Sequence, residues 1–168
     1  MKIRVLLTIA AVVSLVLFFI FIPVRTVLTL ESTDTTRPVL CYGVQPGEEF
    51  TISFVHSVNK RPVYDTIRIE QDHFLVVKSR YEAFGAGMPE TSSGEYQLKT
   101  AADGWLELTG INLFLKDFTM FVGTVADHSL RIHNKDFRMT DYVPPGTPVT
   151  FSVRKYSIYQ VWKGGCTH

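Results

Sequence analysis

The chain reads as an all-β protein, an antiparallel sandwich or barrel-like roll of about nine short strands, preceded by one N-terminal transmembrane helix. Three observations carry this: an unbroken apolar stretch near the N-terminus, short runs of alternating apolar and polar residues after it, and the Gly, Pro, Asp and Asn residues that separate those runs. Of 168 residues, roughly 145 follow the apolar stretch, enough for one core and too few for two soluble domains.

From Val5 to Ile22 only Thr8 and Ser14 interrupt the apolar residues. A membrane-spanning helix needs about 20 such residues, whereas a signal peptide has about 7 to 15 followed by small residues at its cleavage point. Phe18 to Arg25 offers no small residue, so an uncleaved anchor is expected over residues 5–23. Lys2 and Arg4 precede the span, while Arg25 is soon answered by Glu31 and Asp34. That bias puts residues 1–4 in the cytoplasm and the remainder outside the cytoplasmic membrane, as a single-pass protein. Cys41 lies too far from the span, and after too large a residue, Leu40, for lipid attachment. Residues 24–38, with the polar run Glu31 to Thr36, read as a spacer, 39–160 as the β domain and 161–168 as a flexible tail.

Strands are expected at Val39–Val44, Phe50–Ser57, Val63–Glu70, Phe74–Tyr81, Glu95–Leu98, Leu106–Asn112, Thr119–Val125, Ser129–His133 and Val149–Lys155. Asn112–Phe118 is compatible with one helical turn. The formal net charge of +1 and the lack of a basic stripe exclude a general nucleic-acid binder. Cys41 and Cys166 stand in a disulfide-permissive compartment. Two readings stay open for them: a bridge tying the tail to the first strand, or one buried thiol and one on a frayed end.

Two places break the apolar pattern. Phe50, Ile52 and Phe54 share a face that continues to His56, and Val63, Ile67 and Ile69 share a face whose odd member is Asp65. Pairing Phe54 with Ile67 and Ile52 with Ile69 in a hairpin sets His56 opposite Asp65. Such a pair is either a satisfied histidine and carboxylate at the core rim or the start of a ligand or partner site, with Ser57 beside it. The second break is Arg80 to Glu90, where Gly85 and Gly87 bracket one alanine and Pro89 ends strand pairing. It reads as a tight irregular connection, or more weakly as an anion cradle, because neither GK[ST] nor a helix N-terminus follows.

The pieces Phe54-Val55-His56-Ser57-Val58, Pro62-Val63-Tyr64-Asp65-Thr66, Arg80-Tyr81 with Phe84 to Pro89, and His128-Ser129-Leu130 together resemble a small bacterial and archaeal family of unknown function. Members of that family tend to be encoded beside TAXI-type TRAP transporters, tripartite uptake systems for solutes. Where that pattern carries two acids after Pro-Val, this chain has Tyr64-Asp65 and keeps only the second. The resemblance implies a non-catalytic accessory protein, with the transporter's membrane subunit or solute-binding protein as partner.

The alternative is an extracytoplasmic module that binds or senses a small solute through His56, Ser57, Asp65, Arg80, Gly85, Gly87 and His128. A hydrolase or metal-site enzyme ranks third. His56 and Ser57 point to opposite faces of one strand, no GxSxG or HExxH is present, and His56, Asp65 and His128 lack metal-ligand spacing. No cofactor and no metal is expected.

Overall fold

The computed structural model describes residues 2–32, 38–164 and 166. Helix α1, Lys2–Phe21, presents no buried residue and is long and apolar enough to cross a membrane. Among the described residues follow eleven strands in two antiparallel sheets and a second helix. In chain order the strands are β1 (Arg25–Ser32), β2 (Leu40–Gly43), β3 (Glu49–Val55), β4 (Pro62–Ile69), β5 (Phe74–Tyr81) and β6 (Gln97–Thr100). They continue as β7 (Leu106–Leu115), β8 (Asp117–Phe121), β9 (Ser129–Ile132), β10 (Lys135–Arg138) and β11 (Pro148–Tyr156), before helix α2 (Ile158–Gly164). One sheet has the order β2-β1-β11-β8 and the other β10-β9-β3-β4-β5-β7-β6.

The sheets face each other across one core. Leu28, Leu30, Tyr42 and Phe151 from the smaller sheet pack with Phe50, Ile52, Ile67 and Leu130 from the larger. Phe151 lies between Phe118 and Phe50, with ring centroids 4.6 and 6.3 Å away. Burying each such side chain stabilises the fold by about 1.5–3 kcal/mol, so this stack is a principal tie between the layers.

Four local expectations are corrected. The region read as a spacer contains β1, which lies between β2 and β11; only its residues 33–37 fall outside the described residues. Thr26, Val27 and Thr29 are β-branched, and both faces of β1 are covered, so its polar letters conceal a central strand. The tail read as flexible begins inside α2 and holds that helix's last four residues, while Gly165, Thr167 and His168 lie outside the described residues. Its start is a capping box: Gln160 N–H donates to Ser157 Oγ at 3.1 Å, and Ser157 N–H donates to Gln160 Oε1 at 2.8 Å. Asn112–Phe118 forms no helical turn. It carries the end of β7 past Lys116 into β8, crossing from one sheet to the other, with Asn112 at φ 48°. Finally, β10, absent from the expected strands, pairs with β9 at the edge of the larger sheet.

Cys41 on β2 and Cys166 after α2 are joined by a disulfide, with Cα atoms 4.5 Å apart. Val161 of α2 packs there against Val27 and Cys41.

Candidate functional site

The hairpin of β3 and β4 pairs in a register shifted by four residues along β4 from the one that the apolar pattern suggests. Phe54 pairs with Val63, Ile52 with Asp65 and Phe50 with Ile67. His56 therefore does not face Asp65. Both registers keep Phe50, Ile52 and Phe54 inward, because an even slip preserves side-chain faces. The turn decides between them. His56 N–H donates to Arg61 O at 2.8 Å, Lys60 N–H donates back to His56 O at 3.0 Å, and Lys60 takes φ 56°. Asn59 Oδ1 accepts from Arg61 N–H at 3.0 Å, an Asx turn that makes the short connection favourable.

This turn clamps the glycine loop. Asn59 Nδ2 donates to Ala83 O at 3.1 Å and to Phe84 O at 3.2 Å. His56 Nδ1 accepts from Val58 N–H at 3.2 Å, which leaves Nε2 to donate to Ala86 O at 3.2 Å. At the loop's far end the buried Tyr81 hydroxyl donates to Pro89 O at 2.7 Å. Gly85 is required by close approach, since a Cβ there would sit 2.8 Å from Asn59 Nδ2 and 3.2 Å from His56 Cε1. Gly87 is required by its φ of 83°. Four loop carbonyls are thus satisfied by side chains, and the loop caps the hairpin.

A third loop joins them. Val55 N–H donates to Ala126 O at 2.7 Å, and His128 Nδ1 accepts from Gly123 N–H at 3.2 Å while its ring lies 5.7 Å from that of Phe54. Burial lowers the pKa of His128, partly offset by the neighbouring Asp127 carboxylate. Ser57 is exposed on the turn. Asp65 lies on the inward face, opposite Ile52 on one side and Ser79 on the other. Burial raises its pKa, and a hydrogen bond from Ser79 works against that rise. Among the described residues, no three His, Cys, Asp or Glu side chains converge on a metal-sized site.

Arg80 belongs to a different place, the outward face of the larger sheet. Two rows of polar residues run across the strands there. Arg131, Thr51, Thr66 and Lys78 are successive partners in one, and Ser53, Tyr64, Arg80 and Glu107 in the other. With Trp105 and Asp103 they line a concavity of about 470 Å³. Arg80 Nη2 donates to Asp103 Oδ2 at 2.7 Å, its guanidinium stands 5.5 Å from the Trp105 ring, and Tyr64 meets that indole with centroids 5.6 Å apart. Arg80 Nε is buried without a hydrogen-bond acceptor, the Glu107 carboxylate being 3.6 Å away. Arg131 pairs with Asp136 at 2.7 Å. The groove thus offers an aromatic wall, hydroxyls and paired charges, chemistry suited to holding a polar molecule.

The sequence-level candidates therefore divide. His56, Gly85 and Gly87 meet in the loop clamp, His128 stands in the adjoining loop, Asp65 lies beneath the sheet, and Arg80 lies in the groove. Asn59, Trp105 and Arg131 join them, as does Tyr64, which the sequence marks only as a departure from the family pattern. The groove's signal was present in Thr51-x-Ser53, Tyr64-x-Thr66 and Lys78-x-Arg80, polar rows exactly out of phase with the apolar ones. A family model described as a domain of unknown function (DUF1850) matches residues 50–139. No curated protein matches the chain. No solved structure matches it.

Proposed function

The chain belongs to the DUF1850 family, a domain of unknown function, and we propose that it serves as a membrane-anchored, extracytoplasmic, non-catalytic accessory protein of a TAXI-type TRAP solute transporter. One observation carries the reading: His56, the glycine loop and the loop that holds His128 gather at the end of the sandwich remote from the anchor, where hydrogen bonds join them into one surface rather than a set of converging reactive groups. β1 leaves α1 at Arg25, which pairs with Tyr156, and reaches Ser32 opposite Val149. Beyond that far end, Pro148 pairs with Phe121, and the loop after Phe121 meets Val55 through Ala126. An eight-residue strand spans roughly 26 Å, so the clamped loops stand well clear of a bilayer crossed by α1. Val58, Phe84 and Val125 are exposed on those three loops, a surface suited to a protein partner such as the transporter's solute-binding protein.

The positive charge before α1 supports a cytoplasmic N-terminus. Protease treatment of cells with a permeabilised outer layer should then digest the domain and spare a tag placed before Val5. Function is tested by purifying the full chain from membranes. Transporter subunits should accompany it, and a Phe84→Asp, Val125→Asp double variant should lose them. Unimpaired uptake in a deletion strain, together with no co-purification, overturns the reading.

The groove favours a second reading, binding of a small polar solute beside Tyr64, Arg80 and Trp105. Its mark is a ligand-dependent rise in melting temperature that Arg80→Ala abolishes.

A further inference from the structure

We propose that α2 is a membrane-interface foot, its Ile158, Tyr159 and Trp162 face immersed in the headgroup layer of the bilayer that α1 crosses. The inference rests on the proposed anchor reading of α1 and adds a second contact between domain and lipid. From Val5, where the apolar residues begin, to Phe21 the helix rises about 26 Å, close to the ~30 Å thickness of a bilayer's hydrocarbon core, so Phe21 at the end of α1 stands within about one turn of its boundary. The Tyr159 ring lies on Phe21 with centroids 5.2 Å apart, which sets α2 at the same depth. Only three residues, Ile22 to Val24, separate α1 from β1.

The faces of α2 agree with that depth. Val161 points inward to Val27 and Cys41, while Ile158 and Tyr159 are exposed and Trp162 is 79 % exposed. The positions i, i+1 and i+4 form one stripe on a helix. An indole left in water forfeits most of its burial energy, whereas at headgroup depth its apolar ring and polar N–H are both accommodated. Trp162 stands 6.3 Å from Tyr159, and the Lys163 ammonium 6.0 Å from the same ring, within reach of lipid phosphates. A seven-residue helix is not stable alone. The capping box at Ser157 and Gln160 and the disulfide from Cys166 to Cys41 hold it to the sheet. With two contacts, the foot would set the tilt of the domain on the membrane as well as its tether.

The test uses the full chain in nanodiscs of phosphatidylcholine and phosphatidylglycerol. The chain has two tryptophans, so Trp105→Phe leaves Trp162 as the only indole and Trp162→Phe leaves Trp105. Trp162 should emit in the blue-shifted range and be quenched about twofold or more by lipids brominated near the headgroup, relative to lipids brominated near the chain ends. Trp105 should be quenched by neither. If mass measurement shows intact α1 and its N-terminal tag stays protected, yet Trp162 is open to aqueous iodide and untouched by brominated lipid, the foot is refuted while the anchor stands. Trp162 shielded from iodide but unquenched by lipid means that a protein covers α2, which also refutes it. A chain lacking α1 in the membrane fraction overturns the anchor reading itself.

Discussion

The two ends of the sandwich are held together by different chemistry. At the end next to α1, a covalent bond between Cys41 and Cys166 and the apolar contact of Val161 with Val27 fasten a short helix to the sheet. At the opposite end, His56, Asn59 and His128 hold three loops through hydrogen bonds to main-chain groups. The difference follows from what each end must secure. A short helix near the chain terminus has few apolar contacts and frays unless it is stapled. Loops outside the strand ladders leave main-chain carbonyls and N–H groups without strand partners, and at this end polar side chains take up several of them.

The contrast can be broken at either end. Replacing both cysteines by serine should have the largest effect, a loss of about 3–5 kcal/mol in urea unfolding, because the bridge closes a segment with a sequence separation of 125. The clamp end should respond less. Asn59→Ala removes two donors and an acceptor and should cost about 2–3 kcal/mol. Gly85→Ala should cost about 1–3 kcal/mol, because its Cβ would press on Asn59 Nδ2. The double variant should cost less than the sum of the two, since removing the Asn59 side chain removes the clash.

Titration sharpens the comparison further. Burial favours neutral His128 in the folded protein, so the unfolded chain takes up the proton at higher pH. The stability it contributes is fully present above about 6.5 and is lost as pH falls below that value, until the folded imidazole is protonated too. Thermal melts should therefore weaken on mild acidification. His128→Asn, which keeps an acceptor for Gly123 N–H, should flatten that dependence. The smallest effect is expected inside the sheet. The raised pKa of Asp65 means that its contribution is full below about 3.8 and is lost as pH rises through the folded value. Asp65→Asn should then cause no destabilisation at pH 7 and a change within about 1 kcal/mol, whereas a buried ion pair with His56 would make it costly.

Much of the fold was legible in local pattern. Phe74–Tyr81 reads as a strand from composition and is one with the same bounds, and the apolar face of β3 is inward as its alternation requires. β1 was concealed by Thr29, Glu31 and Ser32, whose letters suggest a spacer until the chain around them is known to cover both faces of the strand. α2 carried a readable signal, the Ser157 and Gln160 box, in a segment too short for helical periodicity to show. The clamp was half legible: Gly85, Gly87 and His56 stood out as exceptions, but Asn59 is an ordinary turn residue until its amide is seen between two carbonyls.

What the sequence determined by itself is whatever depends on near neighbours: the apolar span, the strands, and which residues share a face, because these follow from hydration and from side-chain periods of 3.6 and 2. What only the tertiary structure decided is which faces meet. A period of 2 is unchanged by a slip of four residues, so the apolar pattern could not distinguish Phe54 opposite Ile67 from Phe54 opposite Val63. The geometry of the turn at Asn59 and Lys60 broke that degeneracy, and in doing so separated His56 from Asp65. The same reason governs the bridge from Cys41 to Cys166, the groove around Arg80 and the contact of Tyr159 with Phe21. Each joins residues far apart in the chain, and their proximity is a property of the folded core rather than of any local run of sequence.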